Sequence, residues 1–245
     1  MRRLSLAAAL AAGTLALTAC SGTSGTAVPA AAGSSSAAAA AATSTAPPAL
    51  EAAKVGSAVA EAAKQATSVR VKGTMADDGN NINLDLQLNQ DSASGTVVKD
   101  GLEIPVLRVG DKYFFRFTES LVKQAGIPAS VGKKLTGKWV PSTAQIGAGI
   151  ADAFKVFLDY KSFTENTVGE LASSTFTGGE PTTLGGVPAL NFTSTDGTAT
   201  VAADAPHYLL RMQDPKSGTI EFSDWNKPAT VQAPPASEIY SGPGA

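Results

Sequence analysis

The chain has 245 residues and a formal net charge of -2, without a block of basic residues. This balance argues against nucleic-acid binding, which needs a clustered positive face. Its single cysteine lies near the N-terminus, so no disulfide can form within the chain, and a hydrophobic core has to stabilise the fold. About 190 residues remain after the N-terminal region, which suits one domain with a core of its own.

The N-terminus has the pattern of a secretory signal peptide over residues 1–19. Arg2 and Arg3 precede an apolar run of mostly Ala and Leu, shorter than the roughly 20 residues that span a bilayer. The run ends in Leu17-Thr18-Ala19-Cys20, which resembles the lipobox of bacterial lipoproteins. That resemblance implies cleavage before Cys20, a diacylglyceryl group on its thiol, and anchorage at the outer face of the cytoplasmic membrane. An ordinary secreted protein that is cut before a cysteine is the alternative.

Residues 20–49 have the composition of a disordered tether. They are Ser, Thr, Gly, Ala and Pro with no charge, and such a segment buries too little surface to offset its ordering entropy. The folded domain is expected over residues 50–240. It opens with an amphipathic helix, because Leu50, Val55 and Val59 recur at helical spacing until about residue 67.

The first half of the domain then takes the period of a strand. After a strand at residues 69–72, the clearest one covers residues 82–89, where Ile, Leu, Leu and Leu alternate with polar residues. Turn residues predict further strands, at residues 96–99, 102–109 and 112–117. Pro105 predicts an edge position or a bulge for its strand, because proline cannot donate to a ladder.

The middle of the chain is predicted to be helical, and the last third returns to strands. The predicted helices cover residues 119–125, 128–135 and 150–163, with a short extended piece at 137–141. The predicted late strands cover residues 175–184, 187–193, 198–202, 208–213 and 219–225, followed by an extended tail at 231–239. Short strands separated by Gly, Asp and Pro turns are typical of an antiparallel sheet.

These elements predict an α+β fold with a strongly curved antiparallel sheet of about ten strands. A flat apolar face that wide would be exposed, so we expect the sheet to form a half barrel whose concave face is covered by the helices. A helical layer over such a sheet can leave a lipid-sized cavity.

Several short motifs between residues 50 and 235 resemble actinobacterial lipoproteins of the LppX/LprG-like type. The resemblance implies the half-barrel fold of the LolA/LolB carriers, with acyl chains of lipids or glycolipids held between sheet and helices. It supplies no catalytic residue and no cofactor. The motifs are Ser68-Val69-Arg70-Val71-Lys72-Gly73-Thr74, Leu107-Arg108-Val109-Gly110-Asp111-Lys112-Tyr113-Phe114, Gly137-Lys138-Trp139-Val140, Leu184-Gly185-Gly186-Val187-Pro188-Ala189-Leu190, His207-Tyr208-Leu209-Leu210-Arg211 and Ile220-Glu221-Phe222-Ser223-Asp224-Trp225.

The predicted lining of such a cavity comes from the apolar faces of two strands and from the helices above them. A fully packed core would use the same residues, because close packing is usual in protein interiors. A second hypothesis is an interaction module that engages another envelope protein, such as a transport protein, through its sheet edge or outer face. The predicted ligand-binding residues are Ile82, Leu84, Leu86, Leu88, Tyr113, Phe115, Phe117, Leu121, Phe154, Phe157 and Leu158.

The sequence offers little for catalysis or metal binding. His207 is the only histidine, and no Gly-x-Ser-x-Gly motif accompanies it, so a hydrolase triad is not indicated. No group of residues has metal-ligand spacing. A modest basic cluster suits either anionic headgroups or an ordinary solvated surface. Its members are Lys123, Lys133, Lys134 and Lys138.

Overall fold

The computed structural model describes residues 50–77 and 80–242. The predicted signal peptide, the lipidation site Cys20 and the tether at residues 20–49 therefore lie outside the described residues. In the described part, eleven strands form one antiparallel sheet, accompanied by five α-helices.

Ten of the strands form two runs of five, one before and one after a helical region, and one short strand lies within that region. The strands are β1 (Ser68–Asp77), β2 (Asn80–Asn89), β3 (Ser92–Lys99), β4 (Leu102–Val109), β5 (Lys112–Arg116), β6 (Trp139–Pro141), β7 (Thr177–Leu184), β8 (Val187–Thr193), β9 (Thr198–Ala202), β10 (Leu209–Asp214) and β11 (Gly218–Ser223). The helices are α1 (Val55–Gln65), α2 (Glu119–Gln124), α3 (Ala129–Leu135), α4 (Gln145–Leu158) and α5 (Tyr160–Phe163).

The two runs join through a long-range pair of strands. The sheet order is β6-β5-β4-β3-β2-β1-β11-β10-β9-β8-β7, and Val71 of β1 faces Phe222 of β11 across the junction. The sheet is open, with β6 and β7 at its two edges. The predicted fold class is thus confirmed, with eleven strands instead of about ten.

Helices cover one face of this sheet, the inner face. Phe154 of α4 contacts Phe115 of β5, with ring centroids 6.1 Å apart, and Phe163 of α5 contacts Phe222 of β11 at 6.5 Å. Four strands lie between β5 and β11, or about 24 Å across a flat sheet. Phe154 and Phe163 are nine residues apart, which is about 15 Å when eight steps are helical and one is extended. This difference is expected if the sheet curves around the helices.

Two predictions about individual strands were wrong. β3 begins at Ser92, because Gly95 continues the strand opposite Leu86 instead of turning the chain. Gly95 has φ 150°, and a Cβ there would lie 2.1 Å from the Asp85 carbonyl oxygen, so this close approach requires glycine. Pro105 lies in an interior strand without a bulge, opposite Thr96. It falls just outside the part of β4 that pairs with β5, so no ladder bond is lost on that side.

The predicted helix over residues 150–163 is two helices. α4 begins five residues earlier and stops at Leu158, because Asp159 adopts extended backbone and accepts the Ser162 N–H at 2.8 Å, which caps α5. The helical path then continues through a π-turn, Thr164–Val168, and a 3-10 turn, Gly169–Ser173. Residues 159–173 are called the roof segment below.

The C-terminal residues return along the sheet towards β6. Asn89 donates to the Ala229 carbonyl at 2.9 Å, and Ile239 forms a parallel bridge with Trp139 of β6. Tyr240 donates its N–H to the Trp139 carbonyl and has a buried side chain. The β6 edge is therefore covered by the chain's own C-terminal region.

Candidate functional site

The residues predicted to line a ligand cavity lie together on the inner face and its helical cover. All except Tyr113 and Phe157 are less than a tenth exposed, and those two are partly buried against the same cluster. In the described conformation, these side chains therefore belong to one hydrophobic core.

A groove of about 700 Å³ lies beside this core, between α1 and the roof segment. It is called the α1–α5 groove, and its volume is within the range of small-molecule sites. Its lining combines buried small and aromatic residues with charged residues at the rim. The lining residues are Ala60, Ala63, Lys64, Gln90, Tyr160, Lys161, Thr164, Glu165 and Gly169.

Two contacts hold α1 antiparallel to the roof segment at the ends of this groove. At one end, a Cβ on Gly56 would lie 2.0 Å from the Leu171 carbonyl oxygen, so glycine permits the close approach of the two backbones. At the other end, the Tyr160 hydroxyl donates to the Ala63 carbonyl at 2.6 Å. Ala63 and Tyr160 line the groove and are also members of the core. These two residues thus border both the groove and the interior.

The groove floor is neutral and its rim is charged. Burial, with a smaller contribution from nearby Tyr208, raises the pKa of Tyr160 well above its usual value, so its hydroxyl stays protonated as a donor. Lys64 and Lys161 lie at the rim with Glu165, whose carboxylate is 3.9 Å from the Lys161 ammonium. This exposed pair is weak, and the two lysines against one glutamate leave the rim with a small excess of positive charge.

A partly buried ion pair supports the groove from the sheet side. Arg108 of β4 lies 3.2 Å from the Asp159 carboxylate and donates to the carbonyl of Gln90, a groove residue. Burial would raise the pKa of Asp159, but hydrogen bonds from Ser162 and the charges of Arg108 and Lys161 outweigh it and hold that pKa below its usual value. No short-range pattern in the sequence predicts this pair, although Arg108 follows Ile104 and Val106 on the inward positions of its strand.

A second cavity, of about 570 Å³, lies on the other side of the roof segment. It is called the β9–β10 cavity, and it is formed by the π- and 3-10 turns together with the ends of β1, β9 and β10. Its walls are richer in hydroxyl, amide and carboxylate groups than those of the α1–α5 groove. Among the lining residues are Met75, Thr167, Glu170, Ser174, Thr198 and Met212.

The remaining candidate residues have local roles in the described part of the chain. Nδ1 of His207 is 3.1 Å from the Ala202 carbonyl oxygen. Lys123 pairs with Glu119 at 2.7 Å, and Lys138 donates to the Ser237 carbonyl, so half of the predicted basic cluster has partners within the protein. Across residues 50–77 and 80–242, no group of three or more His, Cys, Asp or Glu side chains is arranged to hold a metal ion. Within the same ranges, none of the helices has the length and apolar character needed to cross a bilayer.

Comparison with known proteins gives a likeness of fold only. No protein-family model and no curated protein sequence matches the chain. A chain from the MucA/MucB complex of Pseudomonas aeruginosa shares 13% identity at a TM-score of 0.32, over 79% of this chain and 62% of that one.

Two mycobacterial lipoproteins are among the similar solved structures. LprF from Mycobacterium bovis shares 13% identity at a TM-score of 0.49, over 75% of this chain and 96% of that one. LppX from Mycobacterium tuberculosis shares 14% identity at a TM-score of 0.44, over 74% and 97% of the respective chains. Such values are too low to transfer a function, which has to be argued from this chain's own geometry. LprF and LppX are lipoproteins of the LppX/LprG type, the type that the sequence motifs indicate.

Proposed function

We propose that the protein is a non-enzymatic lipoprotein of the bacterial envelope, anchored through Cys20, that binds the acyl chain of a lipid or glycolipid. In this proposal the α1–α5 groove is the entry, and the inner face of the sheet receives the chain. The tether at residues 20–49 keeps the domain close to the membrane and free to reorient.

The observation that carries this proposal is that Ala63 and Tyr160 belong both to the groove lining and to the core. Both line an open groove and belong to the hydrophobic core, so separation of α1 from the roof segment would open the groove towards the apolar interior. Each methylene that moves from water into the interior contributes roughly 0.8 kcal/mol. A bound chain can therefore offset the cost of parting the helices.

In the parted form, the acyl chain would contact the apolar inner face. The contacts that we propose are Ile82, Leu84, Leu86, Leu88, Tyr113, Phe115, Phe117, Leu121, Phe154, Phe157 and Leu158. Lys64 and Lys161 remain at the rim, where their ammonium groups favour an anionic or hydroxylated headgroup.

Mass spectrometry of an organic extract tests the proposal directly. The protein is purified from its native host as the wild type, as Ala60→Trp, which fills the groove, and as Ala129→Trp, which adds the same ring to the exposed start of α3. We expect lipid in the wild type and in Ala129→Trp, and at least tenfold less in Ala60→Trp. Repeated absence of lipid from the wild type would contradict the proposal.

The anchor is tested separately by Cys20→Ala. We expect the wild type in the membrane fraction and the variant in the soluble fraction, because two acyl chains give stable anchorage that the tether cannot provide. A variant that stays in the membrane fraction would show that another feature holds the protein there.

The interaction-module hypothesis requires a surface for a partner, and neither edge of the sheet is well suited to pair with a partner strand. The β6 edge is covered by Ile239. The β7 edge carries a register shift between Gly178 and Glu180, followed by Pro181, and these features oppose the addition of a partner strand. Capture of one stoichiometric partner, unchanged in Leu86→Trp, would favour this hypothesis.

A further inference from the structure

The β9–β10 cavity has side-chain hydroxyls that form no hydrogen bond with the described part of the protein. Thr167, Ser174 and Thr198 are half-buried residues at its wall, and their side-chain hydroxyls remain accessible to solvent. Within the described ranges, none of the three forms a hydrogen bond with a protein group. Hydroxyls that bond only to water can exchange it for a ligand, so three such groups around a single space suit a ligand that supplies both donors and acceptors.

The negative charge of the cavity wall narrows the class of ligand that it can bind. Glu170, Asp196 and Asp214 line the cavity, and none of its described lining residues is Lys or Arg. The Ser217 hydroxyl and the Lys216 N–H bond to Asp214 and hold its pKa below the usual value, so this carboxylate is ionised at neutral pH. An anionic ligand would be repelled, whereas ionised carboxylates are strong acceptors for hydroxyl donors.

The cavity also has an apolar side. Met75, Phe176 and Met212 contribute to its lining, and methionine adapts well to irregular surfaces. A ligand with C–H faces as well as hydroxyl groups satisfies both parts of the wall.

We propose that the β9–β10 cavity binds a neutral saccharide. The unpartnered hydroxyls and the Gln213 amide take its hydroxyl groups, Glu170 and Asp196 accept further hydrogen bonds, and the methionine side packs against its C–H face. This inference does not depend on lipid binding, because it concerns a different cavity.

The methionines provide an unusually direct readout. The chain has three, and both that follow Met1 line this cavity. The full-length protein is labelled with ¹³C at its methionine methyl groups, and the two cavity signals are assigned with Met75→Leu and Met212→Leu. Glucose, maltose and glucose 6-phosphate are then titrated.

We expect saturable shifts of both methyl signals with glucose or maltose, with a Kd on the order of 1 mM. Glucose 6-phosphate should bind at least tenfold more weakly than glucose. Thr198→Val should weaken maltose binding about three- to tenfold. Thr182→Val, which changes a half-buried threonine outside the cavity, should leave maltose binding unchanged. Ser174→Ala is a second cavity variant that tests the same hydroxyl set if Thr198→Val does not fold.

Three outcomes would overturn the inference. The first is the absence of methionine shifts with both neutral sugars. The second is equal binding of glucose and glucose 6-phosphate. The third is equal maltose binding by the wild type and the folded cavity variants. Lipid content from the organic extract is measured on the same samples, so failure here is distinguishable from failure of the proposed function.

Discussion

The packed interior beneath the helices differs from the α1–α5 groove in the contacts that form it. Leu86, Leu88 and Phe115 are fully buried apolar residues in one continuous core. The α1–α5 groove lies beside the same core, to which its walls contribute Val59 and Val168, and a tyrosine hydrogen bond and a close glycine contact join the two walls. We therefore expect the strands to stay paired when α1 moves away from the roof segment. Substitutions in the core should mainly lower stability, whereas substitutions around the groove should have smaller effects on stability and also alter its pH dependence or the release of ligand.

The largest loss of stability is expected in the core. Leu86→Ala removes a fully buried side chain and should lower the free energy of unfolding by about 3 kcal/mol, within the range for such cavities. Val187→Ala, at a side chain that is 42% exposed, should change it by less than about 0.5 kcal/mol. Urea unfolding at pH 7 measures both, and equal small losses would show that the inner face is not a packed core.

The next effect concerns the backbone contact between α1 and the roof segment. Gly56→Ala places a Cβ 2.0 Å from the Leu171 carbonyl oxygen, and relieving this clash should cost about 1–3 kcal/mol. Gly149→Ala is the matched control, because a Cβ at this exposed helical position meets nothing within 4 Å. It should stabilise α4 by up to about 1 kcal/mol. Similar losses in both variants would contradict the close contact.

The ion pair beneath the groove gives a smaller, pH-dependent effect. Asp159→Asn leaves Arg108 buried without its charge partner, and we expect a loss of about 2 kcal/mol at pH 7, below the usual 3–5 kcal/mol because Asp159 is partly exposed. The lowered pKa of Asp159 means that its contribution is present above about pH 4 and disappears as the pH falls through the lowered value. The difference between wild type and variant should therefore shrink at pH 3.

Asp152→Asn is the control for this experiment, since Asp152 is 80% exposed on α4. Its effect should be near zero at both pH values. A difference between Asp159→Asn and wild type that persists unchanged at pH 3 would show that the carboxylate's charge is not what stabilises this region.

The smallest loss of stability is expected at the groove floor. Tyr160→Phe removes the hydrogen bond to the Ala63 carbonyl, which still accepts from Ala66 N–H, so the cost should be about 1 kcal/mol. Release of a bound fluorescent fatty acid should become faster, because the groove opens more often. Thr182→Val, at a half-buried threonine outside the groove, should alter neither quantity. Unchanged release in Tyr160→Phe would show that opening of the groove does not control ligand release.

Much of the fold could be predicted because its signals are local. Alternation at Ile82, Leu84, Leu86 and Leu88 marks a strand whatever lies beside it. The pairing of β1 with β11 joins residues about 150 positions apart, and no short-range pattern in Val71 or Phe222 predicts it.

The site was harder to predict because it depends on tertiary contacts. The roof segment after Phe163 has no apolar period, so its π- and 3-10 turns were missed. The predicted lining residues do lie together, but whether they are packed or open depends on how closely α1 approaches the roof segment. Gly56 and Tyr160 make contacts between these two elements, and neither contact can be read from one element alone.

Photo-crosslinking with a diazirine derivative of palmitic acid tests most directly whether the groove leads to the interior. The account predicts adducts on α1, on the roof segment and on the inner face of β2. These adducts should be lost in Ala60→Trp and kept in Ala129→Trp. Adducts confined to the outer surface, or equal labelling in both tryptophan variants, would contradict it.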